Sequence, residues 1–450
     1  MGGIADYTGS LVCEMPIDRA AAVALQERDD REVQVFSFNF FDRHEPFTLR
    51  IPLDGLLEAD AETLRREFNE PGRKWAGYLV GCLYLLHEHG YVDLREPSRK
   101  GLNLALLSTV PIGCGVSSSA AIEVATMINL IDHFGIGRTD EPDGGRRTIE
   151  PLQLALLCQQ VENRIVGAPR GIMDQVTSTL GERGRLLRLL CQPHALRPPL
   201  DVPEGMRFVG INSNVNHSVA GDAYARTRCA AFMAHRIILE KMRDMGAAAG
   251  RALERDPMGG YLANLAPEDY KRFFRPFLPE RMRGSEFVQR FGRTIDPVTT
   301  VEPDVEYFVL GAADHHVLEA RRVRDFATFL EQANALPADA RERGVILDKA
   351  GHLMYASSLS YTNDARLGAD ECDLLVDLVR RHERDELYGA RMTGGGSGGT
   401  IAILANVSQR SDAAIGKIVE EYAKRTGRNA EVLLDSSEGA WSFGTAAAVA

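Results

Sequence analysis

A loop of small residues at 111–119, which reads Pro-Ile-Gly-Cys-Gly-Val-Ser-Ser-Ser, constrains the fold of this chain more than any other feature. The apolar run at 102–107 leads into the loop and has the length and composition of a β-strand. After the loop, apolar residues recur at helical spacing until Gly135 offers a stop, at Ala121, Val124, Ala125, Ile128 and Ile131. The sequence therefore predicts a glycine-rich turn between a strand and the start of a mostly buried helix, with Glu123 among the polar positions of that helix.

Such a turn has the chemistry of a phosphate site. Glycines let backbone N–H groups point into one cavity, and the helix dipole adds partial positive charge there. The serine hydroxyls add donors and a candidate metal ligand. The alternative is a plain strand-to-helix turn capped by one serine, but three serines after Gly-x-Gly favour phosphate binding. The loop is not a Walker loop, because no Gly-Lys-Ser/Thr follows.

A second run of glycines, at 394–399, also contains Gly-x-Gly-x-x-Gly and Gly-x-Ser-x-Gly. The dinucleotide fold and the serine-hydrolase elbow both require a helix directly after these patterns. Here the β-type segment 400–404 follows instead, so the sequence excludes both. It predicts a tight strand–turn–strand whose glycines allow close approach to another loop, with a purely structural glycine turn as the alternative.

Two carboxylates stand out. Asp174 follows a Pro-Arg-Gly turn in an apolar Ile-Met context, where a carboxylate must be hydrogen-bonded, must cap a helix or must be functional. A helix N-cap is the alternative. Glu162 lies in a predicted helix at about 151–166 and would by itself be read as a solvated helix residue.

Composition excludes several classes of protein. The net charge of -11 and the pI of about 5.6 argue against a nucleic-acid partner. No run of eighteen apolar residues predicts a membrane span, and the N-terminus does not read as a signal peptide. The seven cysteines, with no Cys-x-x-Cys among them, argue against a disulfide framework and a cysteine zinc site. We therefore expect a cytoplasmic protein.

The remaining pattern suggests further elements of both kinds, with a break between 195 and 210. Strands are predicted at 206–212 and 400–404, and helices at 222–245, 316–332, 370–384 and from 415 to 422. The stretch 246–305 is rich in Gly, Pro, Arg and Asp, and we interpret it as an irregular insertion or lid.

Taken together, these motifs resemble the GHMP kinases over nearly the whole chain, above all the galactokinase branch and, within it, the L-arabinokinases. Ser397 stands where galactokinases usually carry an aromatic residue. The resemblance implies an α+β, two-domain GHMP kinase fold, with residues 1–205 and 206–450 as the domains and an insertion at about 246–305. Nucleotide and sugar would bind in the cleft between them, with ATP and Mg²⁺ as cofactors and a small-molecule sugar as substrate.

The resemblance also implies roles for single residues. It makes Asp174 the catalytic base, Glu162 and Ser118 the Mg²⁺ ligands, and 394–397 (Gly394, Gly395, Gly396 and Ser397) the glycine turn. Sugar contacts would come from Asp6, Gly171, Asn214 and Tyr224; Asn216 stands where the family often has Arg. ATP would be bound by Trp75, Gly113, Gly115, Val116, Ser117, Ser118, Ser119 and Ala120, and Trp75 begins a Trp-x-x-Tyr-x-x-Gly pattern with Tyr78 and Gly81. The alternative for Trp75 is a core aromatic.

The first motif departs most from the galactokinase pattern. Asp6 keeps the sugar-binding aspartate, but Gly3 replaces a glutamate and Ile4 a histidine, and the chain begins after the family's arginine. In galactokinases that glutamate holds the hydroxyl on carbon six, which L-arabinose lacks. We therefore expect an ATP-dependent sugar 1-kinase for L-arabinose, with D-galactose as the alternative substrate. A non-catalytic, galactokinase-like sugar sensor is the alternative from another class; the intact serine loop favours an enzyme.

Overall fold

The structure is a computed structural model that describes residues 1–139, 148–215 and 220–448, with only the backbone of 220–222. The strands are β1 Leu11–Glu14, β2 Ala21–Glu27, β3 Glu32–Ser37, β4 Thr48–Pro52, β5 Leu102–Ser108, β6 Gly137–Arg138, β7 Thr148–Ile149, β8 Arg185–Leu190, β9 Ala195–Asp201, β10 Met206–Asn212, β11 Met282–Arg283, β12 Glu306–Tyr307, β13 Leu387–Met392, β14 Thr400–Asn406 and β15 Glu431–Leu433. The α-helices are α1 Phe38–Asp42, α2 Leu53–Glu58, α3 Ala61–Phe68, α4 Lys74–Glu88, α5 Ser118–His133, α6 Pro151–Gln160, α7 Met173–Leu180, α8 Ala220–Ala248, α9 Pro267–Asp269, α10 Gly284–Phe291, α11 Val309–Asn334, α12 Arg341–Asn363, α13 Asp370–Arg381, α14 Gln409–Thr426 and α15 Ala440–Phe443.

Two compact units share the chain. We call the first the glycine-turn unit; it comprises Met1–Met15, Gly113–Val116 and Gly184–Asp435. We call the second the carboxylate unit; it comprises Pro16–Ile112, Ser117–Arg183 and Ser436–Ala450. Because the units interleave along the chain, they do not test the division expected at about residue 205, which stays a prediction.

The carboxylate unit is built on a four-stranded sheet in the order β2-β5-β3-β4. β5 pairs antiparallel with β2 and parallel with β3. Its leucines alternate with less buried residues, so that Leu102, Leu104 and Leu106 all enter the core. The helices α4, α5 and α6 supply the other side of that core. The strand feeding the loop and the helix leaving it are thus both fixed by apolar packing.

The glycine-turn unit contains an antiparallel sheet in the order β13-β14-β10-β15 and a three-stranded sheet in the order β1-β8-β9. Its long helices α8, α11 and α12 pack with these strands into several buried apolar clusters. The predicted strands at 206–212 and 400–404 and the predicted helices of this unit are confirmed, although α11 and α14 begin at Val309 and Gln409, earlier than predicted.

The stretch 246–305 is irregular, as predicted, but it is not a loosely held segment. After α8 ends at Ala248, it consists of short helical turns, α9, β11 and α10. Side chains such as Leu262, Tyr270 and Phe287 are fully or almost fully buried in one cluster with α8 and α11. A role for this stretch as a lid remains only a prediction.

All seven cysteines are buried, and none of them is paired with another in the structure. Among the described residues, no helix combines the length and the apolar character needed to cross a membrane.

Candidate functional site

The predicted phosphate loop lies where the sequence places it, directly before α5. Gly113 and Gly115 have φ values of 71° and 70°, and Ser117 has a φ of 60°. This left-handed conformation costs a non-glycine residue about 1–2 kcal/mol. α5 begins at Ser118, Ala120 is fully buried, and Val116, Ser118 and Ser119 are half-buried. The loop therefore keeps hydroxyl groups and strained backbone at a helix N-terminus, as a phosphate site requires.

Glu162 lies on a π-helical segment, Val161–Val166, that continues α6. Glu162 is 3% exposed, and its carboxylate accepts two hydrogen bonds. The hydroxyl of Ser119 donates to Oε1 at 3.0 Å, and the amide of Gln175 donates to Oε2 at 2.8 Å. The serine that contacts Glu162 is thus Ser119, and the role of Ser118 as a Mg²⁺ ligand stays a prediction.

Asp174 occupies the first turn of α7, two residues after Ile172, and Gly171 lies just before this helix. A hydrogen bond from the Ser117 hydroxyl and the positive charge of Arg170 both lower its pKa, but burial has the larger effect and raises it above the usual range for an aspartate. An aspartate with a raised pKa next to a serine loop can accept a proton at a pH where a solvated aspartate would be a weaker base.

A third carboxylate, Glu123, belongs to the same cluster, and sequence reasoning missed its role. It is fully buried on α5, and the amide of Gln175 donates to its Oε2 at 3.1 Å. The same amide therefore joins Glu123 and Glu162. Burial first, and then the negative charge of Glu162, raises the pKa of Glu123 well above its usual range. Burial also raises the pKa of Glu162, against the opposing charge of Arg170.

The pattern Trp75, Tyr78, Gly81 lies on α4, in the same unit. Trp75 is 7% exposed, and its indole N–H donates to the carbonyls of Pro46 and Gly72. These are the contacts of a core aromatic, and adenine binding by Trp75 stays a prediction. At Gly81 a Cβ would lie 2.6 Å from Cγ1 of Val161, so the glycine lets α4 pack against the segment that carries Glu162. Burial and the charge of Glu162 raise the pKa of Tyr78.

The glycine turn joins β13 to β14 as the predicted strand–turn–strand, with Met392 paired to Ile401. Gly394 has a φ of 59°, and a Cβ there would lie 2.8 Å from the carbonyl oxygen of Gly115. The hydroxyl of Thr393 donates to that same oxygen at 2.8 Å. The turn therefore lies directly against residues 113–116 of the phosphate loop, which confirms the prediction of close approach to another loop.

Further along, the turn contacts Leu367, which follows α12, and Val215, which follows β10. Ser397 has a φ of 62°, and its N–H donates to the carbonyl of Leu367 at 2.5 Å. A Cβ on Gly396 would lie 2.6 Å from both Cβ and the carbonyl oxygen of Leu367. Gly395 lies between Gly394 and Gly396 in the turn. Glycine at 394 and 396 is therefore a steric requirement of this packing.

Asp6 lies in a short 3₁₀-helix, Asp6–Thr8, and is 4% exposed. One of its carboxylate oxygens accepts a hydrogen bond from the N–H of Tyr7 at 2.8 Å. The ring of Tyr7 contacts that of Tyr224 edge-on at 6.0 Å between centroids, and its hydroxyl lies 3.0 Å from Nε2 of His316. The structure thus brings two predicted sugar-site segments, at 6–8 and at Tyr224, together within one unit.

Asn214 has a φ of 56° and an exposed side chain whose amide is held locally. It accepts from the amide of Asn212 at 2.9 Å and donates to the carbonyl of Asn429 at 2.6 Å. A sugar contact by Asn214 stays a prediction. Asn216, together with 217 and 218 of the same segment, lies outside the described residues.

Within the described part of the chain, no group of three or more His, Cys, Asp or Glu side chains is placed to hold a metal ion by itself. A magnesium ion that shares its ligands with a nucleotide does not require such a group, because it usually takes one or two carboxylates plus substrate phosphates.

Comparison with known proteins agrees with this geometry. The family model of the GHMP kinases N terminal domain matches residues 77–182. The L-arabinokinase of Arabidopsis thaliana is 34% identical over 99% of this chain, which spans 45% of that protein, less than half its length. The galactokinase of Chloroflexus aurantiacus is 30% identical over 96% of this chain and 88% of its own length.

Solved structures show the same fold. The galactokinase of Lactococcus lactis, complexed with galactose, has a TM-score of 0.69 at 22% identity and covers 97% of this chain and 90% of its own. The mevalonate kinase of Methanococcus jannaschii has a TM-score of 0.54 at 13% identity, covering 97% and 94%. The predicted α+β GHMP kinase fold is confirmed, and the chain belongs to the galactokinase branch of the GHMP kinases.

Proposed function

We propose that this chain is an ATP-dependent sugar kinase that phosphorylates the anomeric hydroxyl of L-arabinose, with D-galactose as the second candidate. The observation that carries the proposal is the buried cluster in which Ser119 binds Glu162 and Ser117 binds Asp174, both at the N-terminus of α5. A carboxylate base and a carboxylate metal ligand beside a phosphate loop are the parts that phosphoryl transfer to a hydroxyl needs.

In this proposal Asp174 accepts or orients the proton of the attacking hydroxyl. Its raised pKa makes it a stronger base than a solvated aspartate. The backbone N–H groups of 113–119 bind the phosphates, and Asp6 orients the ring hydroxyls of the sugar. Catalysis then depends mainly on positioning and on electrostatic stabilisation of the transferred group.

The residues present suit magnesium. Glu162 offers a buried carboxylate, and serine hydroxyls lie beside it, so the donors are the hard oxygen atoms that Mg²⁺ prefers. Glu162 with Ser118 or Ser119 would hold the ion. When bound, it would offset the negative charge of the phosphate oxygens. The hydrogen bond from Ser119 to Glu162 supports a serine hydroxyl beside the ion.

The preference for L-arabinose rests on position 3. Gly3 leaves no side chain where the resemblance places a glutamate for the hydroxyl on carbon six. A buried carboxylate that loses this partner would cost about 1–3 kcal/mol, so its absence suits a sugar without that hydroxyl. The relative at 34% identity carries the name L-arabinokinase, which supports the same order of substrates.

Asp174→Asn tests the proposal. We expect kcat for ADP release with L-arabinose to fall by about two to four orders of magnitude, because general-base catalysis is lost. The exposed Asp29 of the same unit gives a matched control, and Asp29→Asn should keep the wild-type rate. Near-normal turnover by Asp174→Asn would refute its assignment as the base.

The sugar itself is tested by kcat/KM for L-arabinose and D-galactose at saturating ATP. A strong preference for galactose would overturn the arabinose assignment and leave the kinase assignment intact. Binding of sugar and ATP without any ADP release would instead identify a sensor.

A further inference from the structure

Tyr361, on α12, has no assigned role above, yet it lies between two parts of the proposed site. It is fully buried, and its hydroxyl makes two hydrogen bonds. It accepts from the N–H of Ile4 at 3.0 Å and donates to the carbonyl of Gly394 at 3.0 Å. One oxygen atom therefore links the segment that leads into Asp6 to the first residue of the glycine turn.

The glycine turn, which Tyr361 binds, also contacts the phosphate loop. Gly394 and Thr393 both lie against the carbonyl oxygen of Gly115, at the distances given above. Ile4 is two residues before Asp6, and the N–H of Ser10 donates to the carbonyl of Ala5, which closes the turn. Loss of the Tyr361 hydroxyl would therefore release the sugar-side segment and the phosphate-side turn from each other.

Tyr361 also occupies the space of a side chain at position 3. A Cβ on Gly3 would lie 1.8 Å from the Tyr361 oxygen, 3.1 Å from its Cζ and 3.0 Å from the carbonyl oxygen of Gly394. Gly3 does not have a positive φ, so its backbone would accept another residue. The requirement for glycine at this position comes chiefly from the Tyr361 hydroxyl, and the Gly394 carbonyl and the Tyr361 Cζ add smaller steric contributions.

The ring cannot easily turn away to make room. The ring of His315 contacts it edge-on at 5.0 Å, and the guanidinium of Arg391 lies 5.1 Å from its centroid. A Cβ on Gly396 would lie 3.2 Å from its Cδ1, so the glycine turn packs on the same ring. His315 is itself held by Ser360, with 2.9 Å between Nδ1 and Oγ.

We propose that Tyr361 is a positioning and specificity-determining residue that holds the Asp6 segment on the glycine turn and excludes any side chain from position 3. The substrate class it selects is a sugar that needs no hydrogen bond from that position, such as an aldopentose in its pyranose form. This inference rests on the proposed function for its kinetic part, and its steric part is independent of activity.

The test is a double-mutant cycle of Gly3→Ala and Tyr361→Phe, followed by thermal unfolding and by sugar kinetics. Phenylalanine keeps the ring and removes the oxygen that a Cβ at position 3 would contact. We expect Gly3→Ala to lower the unfolding midpoint clearly in the wild-type background and only slightly in the Tyr361→Phe background. Equal losses in both backgrounds would overturn the steric exclusion.

For the positioning role, Tyr361→Phe should raise the KM for L-arabinose roughly tenfold, because two hydrogen bonds of the site are lost together. A protein that is merely less stable would lose active molecules, and thus kcat, without this rise in KM. An unchanged KM for the sugar would overturn the positioning role.

Two control variants lie on α12 itself. Gly344→Ala adds a Cβ that meets nothing within 4 Å, so it should leave the unfolding midpoint and both kinetic constants near wild type. Tyr355→Phe removes a buried hydroxyl that lies near Glu383, and should not change the KM for the sugar. If the wild-type chain phosphorylates no sugar, the proposed function fails, whereas the unfolding cycle still decides the steric part.

Discussion

The buried carboxyl group of Glu123 leads to a prediction about how the stability of the protein depends on pH. It is fully buried and its raised pKa means that the folded protein holds its proton more tightly than the unfolded chain does. The contribution of protonated Glu123 to the free energy of unfolding is fully present below the pKa of a glutamate in the unfolded chain, about 4.3. It is lost as the pH rises towards the pKa of Glu123 in the folded protein. Across that interval the free energy of unfolding falls by about 1.4 kcal/mol for each pH unit.

Glu123→Gln removes this dependence and keeps the shape. The new amide oxygen can still accept from Gln175, but the new amide nitrogen replaces Oε1, which has no hydrogen-bond partner. A protonated Glu123 likewise carries its O–H on Oε1, so the amide replaces one unpartnered donor by another and adds little cost where wild type is protonated. We expect the stability of the variant relative to wild type to improve as the pH rises from 5 to 8, by about 1.4 kcal/mol for each pH unit over which Glu123 keeps its proton in the folded protein.

The assay is urea unfolding followed by tryptophan fluorescence across this pH range. The two tryptophans of the chain, Trp75 and Trp441, both belong to the carboxylate unit, so the signal reports the unit that contains Glu123. Glu162 and Asp174 also have raised pKa values, but they are present in both proteins and their own titration largely cancels in the difference. Glu62→Gln, at an exposed position of the same unit, is the control.

The control should differ from wild type in free energy of unfolding by the same amount at every pH from 5 to 8. A difference between Glu123→Gln and wild type that is equally constant would refute the reasoning. It would mean that Glu123 is ionised in the folded protein and that some compensating positive charge outweighs its burial.

Two further predictions concern the glycine-turn unit. Gly394→Ala should raise the KM for ATP by at least about tenfold, because the new Cβ would lie 2.8 Å from the carbonyl oxygen of Gly115 and the backbone would keep a strained φ of 59°. Gly427→Ala is the control: its φ is 70° and its Cβ would meet nothing within 4 Å, so it carries only the backbone strain. Asp296→Ala should destabilise the protein by about 3–5 kcal/mol in thermal unfolding followed by near-ultraviolet circular dichroism, because it removes the carboxylate that pairs with the buried guanidinium of Arg228 at 2.7 Å. Glu421→Ala, which breaks the exposed pair with Arg425, should leave the unfolding midpoint close to that of wild type. A loss for Gly394→Ala no larger than that for Gly427→Ala, or similar losses for the two carboxylate variants, would contradict these expectations.

The strand, loop and helix from 102 to 133 could be predicted because local signals agree there: apolar alternation, glycines, serines and helical spacing all indicate the same elements. The same holds for the turn at 394–399, where the following β-type segment decided between competing patterns. Both predictions needed only residues that are close in sequence.

The helix α12 was missed for a physical reason. Its buried side includes Ala350, Gly351, Ser357 and Ser358, so small and polar residues dilute the apolar stripe that would indicate a helix. At Gly351 a Cβ would lie 1.9 Å from the carbonyl oxygen of Tyr388 on β13. Glycine, which reads locally as a helix breaker, is required here by close packing against a strand, and no signal near residue 351 reveals that strand.

Only part of the acidic cluster could be predicted, because burial on a second face of a helix leaves no local signal. Asp174 stood out because a carboxylate in an apolar stretch needs an explanation, whereas Glu123 occupied a polar position of a helix and was not distinguished from a solvated residue. In the structure α5 packs with helices and with β2, so even this position is buried. Helical spacing shows which residues share a face, but it does not show that a second layer covers the opposite face. A buried glutamate is costly to ionise and therefore needs a hydrogen-bonding role. Here the amide of Gln175 binds both Glu123 and the proposed metal ligand Glu162. Glu123 is therefore better explained by the position it gives Gln175 than by any contact of its own with substrate.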